Sequence, residues 1–187
     1  NELREEAEGY LIEGSSTNLL LYSEKLTVKI GGWTKHSQVT QEVDSITAKG
    51  RSFSKLTTSA NTRGVYQQVA RTAGVNYTIS IDVDIESSNM GAGTIILLKG
   101  GSTDDARLSL SNNDWDTPIA SNVPNSNVSV KKFGTIYRYS LTWTQSVTLS
   151  ETCNVFLRVD TTLFIFGAQL EALPFATSYI PTTVAPV

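Results

Sequence analysis

Between Tyr77 and Glu86 the chain reads Tyr-Thr-Ile-Ser-Ile-Asp-Val-Asp-Ile-Glu, aromatic and β-branched residues alternating with polar ones. A period of two is what a strand with one buried face requires, because successive side chains on a strand point to opposite sides. One face of this strand belongs to a core, and the other looks at water or a ligand. Similar apolar or alternating runs occupy 17–23, 52–58, 65–70, 94–99, 107–110, 136–144, 154–160 and 163–171, separated by clusters of Gly, Asn, Ser and Pro. Roughly nine to eleven strands follow. No repeat at a fixed period joins them, which favours two packed antiparallel sheets over a propeller or a β-helix. The expected class is all-β, an antiparallel β-sandwich.

Composition agrees. Ser and Thr supply 44 of the 187 residues, against 15 Lys+Arg and 18 Asp+Glu, a mix that favours strands and turns over helices. A chain this long can remove roughly 70% of its unfolded surface from water, so it folds without disulfides, and its single cysteine, Cys153, implies none. A net charge of −3 with no basic cluster beyond Lys131-Lys132 gives no footprint for a phosphate backbone, and nucleic acid is set aside as a partner. Apolar stretches such as Ile95 to Leu98 are far short of the ~20 residues a membrane span needs, so membrane insertion is not expected.

Residues 1–9 carry four glutamates within the first eight positions and read as a short helical or linker segment, a neck too short to hold a helix alone. Residues 10–187 are then the domain. The absence of an initiator Met suggests a piece cut from a longer chain. The Asn-, Ser- and Pro-dense segment 111–129 reads as one long loop or two turns around a short strand. Pro181 to Val187 should trail off the surface.

Most catalytic chemistry lacks its parts. His36 is the single histidine, no G-x-S-x-G elbow precedes a helix, and a surface histidine is the plain reading. One His and one Cys cannot build a zinc site of N and S ligands, and no cofactor is expected. Cys153 is in phase with Val155, Leu157 and Val159 and reads as a core thiol. Gly91-Ala92-Gly93 and Lys99-Gly100-Gly101-Ser102 both depart from phosphate-cradling patterns. Asp82 and Asp84 should leave the same strand face about 7 Å apart, a separation that glycoside hydrolases use. A solvated outer face satisfies the same spacing and is the simpler reading.

The three tryptophans differ. Trp143 is in phase with Tyr139 and Leu141, and Trp33 follows a glycine pair near a strand edge; both read as core. Trp115 stands in Asn112-Asn113-Asp114-Trp115-Asp116, with no apolar neighbour until Ile119. A flat amphipathic ring beside amides and carboxylates suits a sugar, whose apolar C–H face stacks while its hydroxyls need donors and acceptors. The other use of Trp115 is to fold back and cap the sandwich edge.

Two stretches at opposite ends of the domain carry a pattern. The first is Gly9-Tyr10-Leu11-Ile12-Glu13-Gly14-Ser15-Ser16-Thr17-Asn18-Leu19-Leu20-Leu21-Tyr22-Ser23-Glu24, followed by Trp33. The second is Phe166-Gly167-Ala168-Gln169-Leu170-Glu171 with Phe175-Ala176-Thr177-Ser178-Tyr179-Ile180-Pro181-Thr182. Together they resemble the carbohydrate-binding-like domain of bacteriophage tail fibres and tailspikes. The middle, including Val65-Tyr66-Gln67-Gln68-Val69 and Tyr137-Arg138-Tyr139-Ser140-Leu141, is similar to jelly-roll carbohydrate-binding modules generally. The resemblance implies a jelly-roll sandwich in which 17–23 and 164–171 pair as neighbouring strands and bring the termini together. It also implies a virion appendage, extracellular and usually homotrimeric.

Two functions are therefore expected. The first is a non-catalytic glycan-binding module that recognises bacterial surface polysaccharide, lipopolysaccharide or capsule, during host attachment. Its contacts would be Trp115 for stacking, Asn112, Asn113 and Asp114 for hydroxyls, with Arg107 and Gln67 beside them. The alternative is a structural module that trimerises or caps the fibre and binds nothing itself. Asn18 at the head of an apolar run is suited to satisfying backbone groups of the incoming turn, and Tyr179-Ile180-Pro181 should end a strand.

Overall fold

In the computed structural model, which describes residues 2–6, 9–13, 16–24, 26, 32–48, 50–60, 63–90, 94–100, 104, 106–111, 114–121, 126–157 and 160–183, the alternating runs are strands. In chain order they are β1 (Glu2–Glu6), β2 (Gly9–Glu13), β3 (Thr34–Lys35), β4 (Val39–Ala48), β5 (Arg51–Thr58), β6 (Arg63–Arg71) and β7 (Asn76–Asp84). The second half supplies β8 (Thr94–Lys99), β9 (Arg107–Ser111), β10 (Ile119–Ala120), β11 (Asn127–Phe133), β12 (Ile136–Thr144), β13 (Leu149–Leu157) and β14 (Thr162–Glu171). The front sheet runs β10-β9-β8-β13-β6-β3 and the back sheet β11-β12-β7-β14-β5-β4. Every pairing is antiparallel. The fold is an antiparallel β-sandwich of the jelly-roll kind.

The inward rows meet between the sheets. Ile79, Ile81 and Val83 of β7 and Tyr139, Leu141 and Trp143 of β12 come from the back sheet, opposite Val65, Leu98, Leu108, Leu110, Cys153 and Val155 of the front. All are fully buried, and each such large apolar side chain contributes roughly 1.5–3 kcal/mol relative to exposure. Trp33 and Trp143 lie in this core. So does Cys153, whose thiol burial pushes up to about 11, the charge of Arg71 opposing the shift only in part. The native protein at pH 8 should therefore resist alkylation by iodoacetamide and react fully only once unfolded in urea, because the thiolate is both scarce and enclosed. Rapid modification of the folded chain, followed by mass spectrometry, would contradict this placement.

The outer face of the back sheet is not solvated at its centre. Asp82 and Asp84, read as belonging to a water-facing row, are 2% and 3% exposed. Residues 172–183 cross this face as an irregular strap: Thr78 Oγ1 donates to the Leu173 carbonyl at 2.8 Å, and Gln169 Nε2 donates to Thr177 Oγ1 and to the Ser178 carbonyl, both at 3.2 Å. The Tyr179 ring packs edge-on to Phe166 at 5.1 Å between centroids. Beneath the strap, Asp82 accepts from Arg51 at 2.6 Å and from Arg138 at 2.9 Å. Tyr179-Ile180-Pro181 thus belongs to the strap, not to the end of a strand, and of the segment expected to trail away Pro181–Thr183 does not, while 184–187 lie outside the described residues. Thr182 is buried and donates its N–H to Ser23 Oγ at 2.8 Å.

Residues 17–23 are likewise not a strand. They lie along β14 all the same, with Leu19 N–H donating to the Leu170 carbonyl at 2.8 Å and Ala168 N–H donating to the Ser23 carbonyl at 3.0 Å. The cause is a bulge in β14 between Phe166 and Gln169, where Gly167 has φ of 64° and Tyr179 sits 3.2 Å from the place a Cβ would occupy. Glycine is the residue that accepts both conditions. The bulge takes the 167–168 backbone off the ladder, and the incoming chain serves it instead. Asn18 completes the junction, as its position suggests: Nδ2 donates to the Ala168 and Ile180 carbonyls at 3.2 and 2.9 Å, and Oδ1 accepts from Leu20 and Leu170 N–H, each at 3.1 Å.

Two further expectations change. The N-terminal segment is not helical, since β1 and β2 form an antiparallel hairpin with Glu2 opposite Glu13. The strands β4 and β11, absent from the sequence reading, are the two edges of the back sheet. Edge strands tolerate polar and charged residues that blur the alternation, as Gln-Glu-Val-Asp in β4 and Lys-Lys in β11 do.

Candidate functional site

The turn after β9 is built by Asp114. Its N–H donates to the Ser111 carbonyl at 3.0 Å, and its carboxylate accepts from the N–H groups of Asp116 and Thr117 at 2.8 and 3.2 Å and from the Thr117 hydroxyl. A short carboxylate bonding its own backbone two and three residues on is the Asx-turn device. That turn sets Trp115 against the sandwich, half-buried and packed on the core. The Tyr139 hydroxyl anchors it, donating to the Trp115 carbonyl at 2.6 Å. Trp115 therefore caps the edge and keeps part of its ring at the surface. Asn112 and Asn113 lie outside the described residues.

Charge gathers at the next residue, Asp116. Lys132 Nζ is 2.8 Å from Asp116 Oδ1 and 5.4 Å from the centre of the Tyr137 ring. The Lys132 ammonium, with the Tyr137 hydroxyl second, holds the Asp116 carboxyl below the usual carboxylate range, and Asp116 in return raises Lys132. Desolvation first, then bonding to Asp116, raises the Tyr137 phenol. Desolvation also raises the Tyr139 phenol. At neutral pH the edge thus offers neutral phenols, a held carboxylate and an ammonium, a set rich in donors and acceptors.

Arg107 lies elsewhere, on the outer face of the front sheet. Its neighbours Ala106 and Leu108 are fully buried in the core, so alternation turns Arg107 outward. The pairing places Arg107 opposite Lys99, Lys99 opposite Asn154, Asn154 opposite Tyr66 and Tyr66 opposite Thr34. These five residues form a row across five strands, about 19 Å long at ~4.8 Å per strand. The sequence reading set Arg107 beside the Trp115 loop, from which the fold separates it, and did not single out Tyr66, Lys99 or Asn154. The signal was a short hairpin, with Lys99 closing one strand and Arg107 opening the next.

Gln67 points the other way. It is buried, and both ends of its amide hold Leu21: Oε1 accepts from the Leu21 N–H at 2.7 Å and Nε2 donates to the Leu21 carbonyl at 3.1 Å. Asp82 does not have the layout of a hydrolytic carboxylate, because each of its oxygens is bonded to an arginine. Asp84 Oδ2 accepts from Ser87 at 2.7 Å. His36 Nδ1 lies 3.0 Å from the Gly64 carbonyl. Among the described residues no group of three or more His, Cys, Asp or Glu side chains could hold a metal ion.

No protein-family model matches the chain, and no curated protein matches it. Among solved structures the chain is similar to the CBM22-1 xylan-binding domain from Paenibacillus barcinonensis Xyn10C, with a TM-score of 0.51 at 10% sequence identity, covering 87% of this chain and 100% of that one. It is also similar to the Clostridium thermocellum N-terminal endo-1,4-beta-D-xylanase 10B CBM22-1-GH10 modules complexed with xylohexaose, with a TM-score of 0.48 at 12% identity, over 84% of this chain and 29% of that one. The likeness to the first is one of fold.

Proposed function

We propose that this chain is a non-catalytic glycan-binding module of a phage tail fibre or tailspike, recognising lipopolysaccharide or capsular polysaccharide of a bacterial host. The observation that carries the reading is the Asp114 turn, which holds an amphipathic indole half-exposed among hydrogen-bonding groups at the edge of a sandwich. That sandwich shares its fold with a xylan-binding domain. The fibre context rests on the resemblance of the two terminal stretches, whose Asn18, Gly167, Gln169 and Tyr179 have structural work at the strap junction. In this reading Trp115 stacks on a sugar ring, Asn112, Asn113 and Asp114 meet hydroxyls, and Arg107 stands on the neighbouring face.

Calorimetric titration with purified host polysaccharide tests it. Trp115→Ala should weaken binding at least about tenfold, the scale of an aromatic anchor, while Trp115→Phe keeps the packing and part of the affinity. Binding untouched by Trp115→Ala would remove this site. A chain that binds no glycan yet scatters light as a trimer would instead be a structural capping module, a role to which exposed Phe133, Phe175 and Val43 would be suited.

A further inference from the structure

We infer that two copies of this chain pair along β11, edge to edge and antiparallel, joining their back sheets into one continuous sheet across a two-fold axis. The inference stands apart from the glycan-binding reading and gives a partner to a surface that reading leaves unused.

The edges of the two six-stranded sheets are not alike. A strand edge presents N–H and carbonyl groups that template further pairing, and it is ordinarily blunted by shortness, a bulge or a charge. β3 and β10 are two residues long, and the register of β4 against β5 is broken between Glu42 and Ile46. β11 is seven residues long and runs in unbroken register with β12. Phe133 and Ile136 close a two-residue turn in which Gly134 has φ of 69°, and the pair closing such a turn exchanges both of its hydrogen bonds. By alternation Lys131, Ser129 and Asn127 also bond to β12. Val128, Val130 and Lys132 therefore aim their backbone groups at the open side, where they have no backbone partner among the described residues.

What this edge fits is its own copy. Antiparallel pairing centred on Val130 sets Val130 against the partner's Val130, Val128 against the partner's Lys132, Ser129 against the partner's Lys131 and Asn127 against the partner's Phe133. Each outward N–H and carbonyl of the strand then finds its complement, because both copies open at the same three residues. The two lysines that could blunt the edge do not. Lys132 is already held by Asp116 at 2.8 Å, and Lys131, exposed on the outer face with Ser129, meets a serine. Centring the pair on Lys131 would oppose two ammonium groups, which is destabilising, and centring it on Ser129 would leave Lys132 and Phe133 beyond the end of the partner's strand. Only the Val130 register uses the whole strand, and it lays Phe133, 50% exposed, against the outer face of the partner.

Sedimentation equilibrium of the full chain reads the mass directly. A dimer of twice 20.3 kDa should form with a Kd on the order of 10 µM, weak because a strand edge buries less than a standard interface. The two-fold makes every substitution act twice. Ser129→Lys, which faces the partner's Lys131 with a like charge, should weaken the dimer about tenfold, and Ser129→Glu should tighten it by a similar factor. Val130→Pro removes an N–H that the partner alone uses and should leave a monomer whose circular dichroism matches the parent, since proline is tolerated on an edge strand whose N–H faces away from the sheet. A chain still monomeric at about 0.5 mM, a trimer, or a dimer indifferent to both Ser129 variants and to Val130→Pro would overturn the inference.

Discussion

Asn18→Ala is expected to lower the free energy of unfolding by about 3–5 kcal/mol, since four buried backbone groups lose a partner and each unsatisfied group costs roughly 1–3 kcal/mol. The groups are the N–H of Leu20 and Leu170 and the carbonyls of Ala168 and Ile180. They belong to three segments: the incoming chain, β14 and the strap. The loss should therefore appear as loosening of the whole junction. Asn18→Asp is the sharper control, because it keeps an acceptor for the two N–H groups but turns an oxygen toward the two carbonyls. Urea denaturation reads both variants. A loss below about 1 kcal/mol for Asn18→Ala would mean that water takes over these bonds, and the junction would not depend on Asn18.

The second large effect is expected at Asp82. Asp82→Ala removes the counter-charge of Arg138, whose side chain is 8% exposed, and breaking a buried pair from one side costs about 3–5 kcal/mol. Arg51, 42% exposed, can turn to water and adds little. Ser80 Oγ still accepts from Arg138 Nη2 at 2.7 Å, which places the expected loss near the lower end. Asp82→Leu combined with Arg138→Met should recover much of it, since an apolar replacement of both partners leaves no orphaned charge. Denaturation of the single and double variants forms the cycle. If the double variant is as unstable as the single one, the ion pair is not the source.

How much could be read in advance differs by element. The Tyr77–Glu86 alternation located β7 to within two residues, because a half-buried strand writes its own period into the sequence. The same alternation misled about its polar row, since Thr78, Ser80 and Asp82 look alike whether they meet water or a strap of chain arriving from nearly a hundred residues away. Residues 17–23 read as a strand for the same reason: they are apolar because Leu19, Leu20 and Tyr22 pack on the core, but bulge backbone, not a ladder, is their partner. At the candidate site, Asp114 and Trp115 were legible from residue type. Tyr66 and Lys99 were not, because what makes them a row is cross-strand register.

By itself, then, the sequence determined that this cysteine-poor, Ser/Thr-rich chain is a two-sheet β-sandwich, since period and composition are local properties that packing has only to obey. Tertiary structure alone decided which polar row is covered. The strap that roofs one sheet is held by Asn18 and Gln169 through bonds to backbone groups of other segments, while on the other sheet the burial of Ala106 and Leu108 turns Arg107 outward. That asymmetry is written in contacts between distant parts of the chain, where no period reaches.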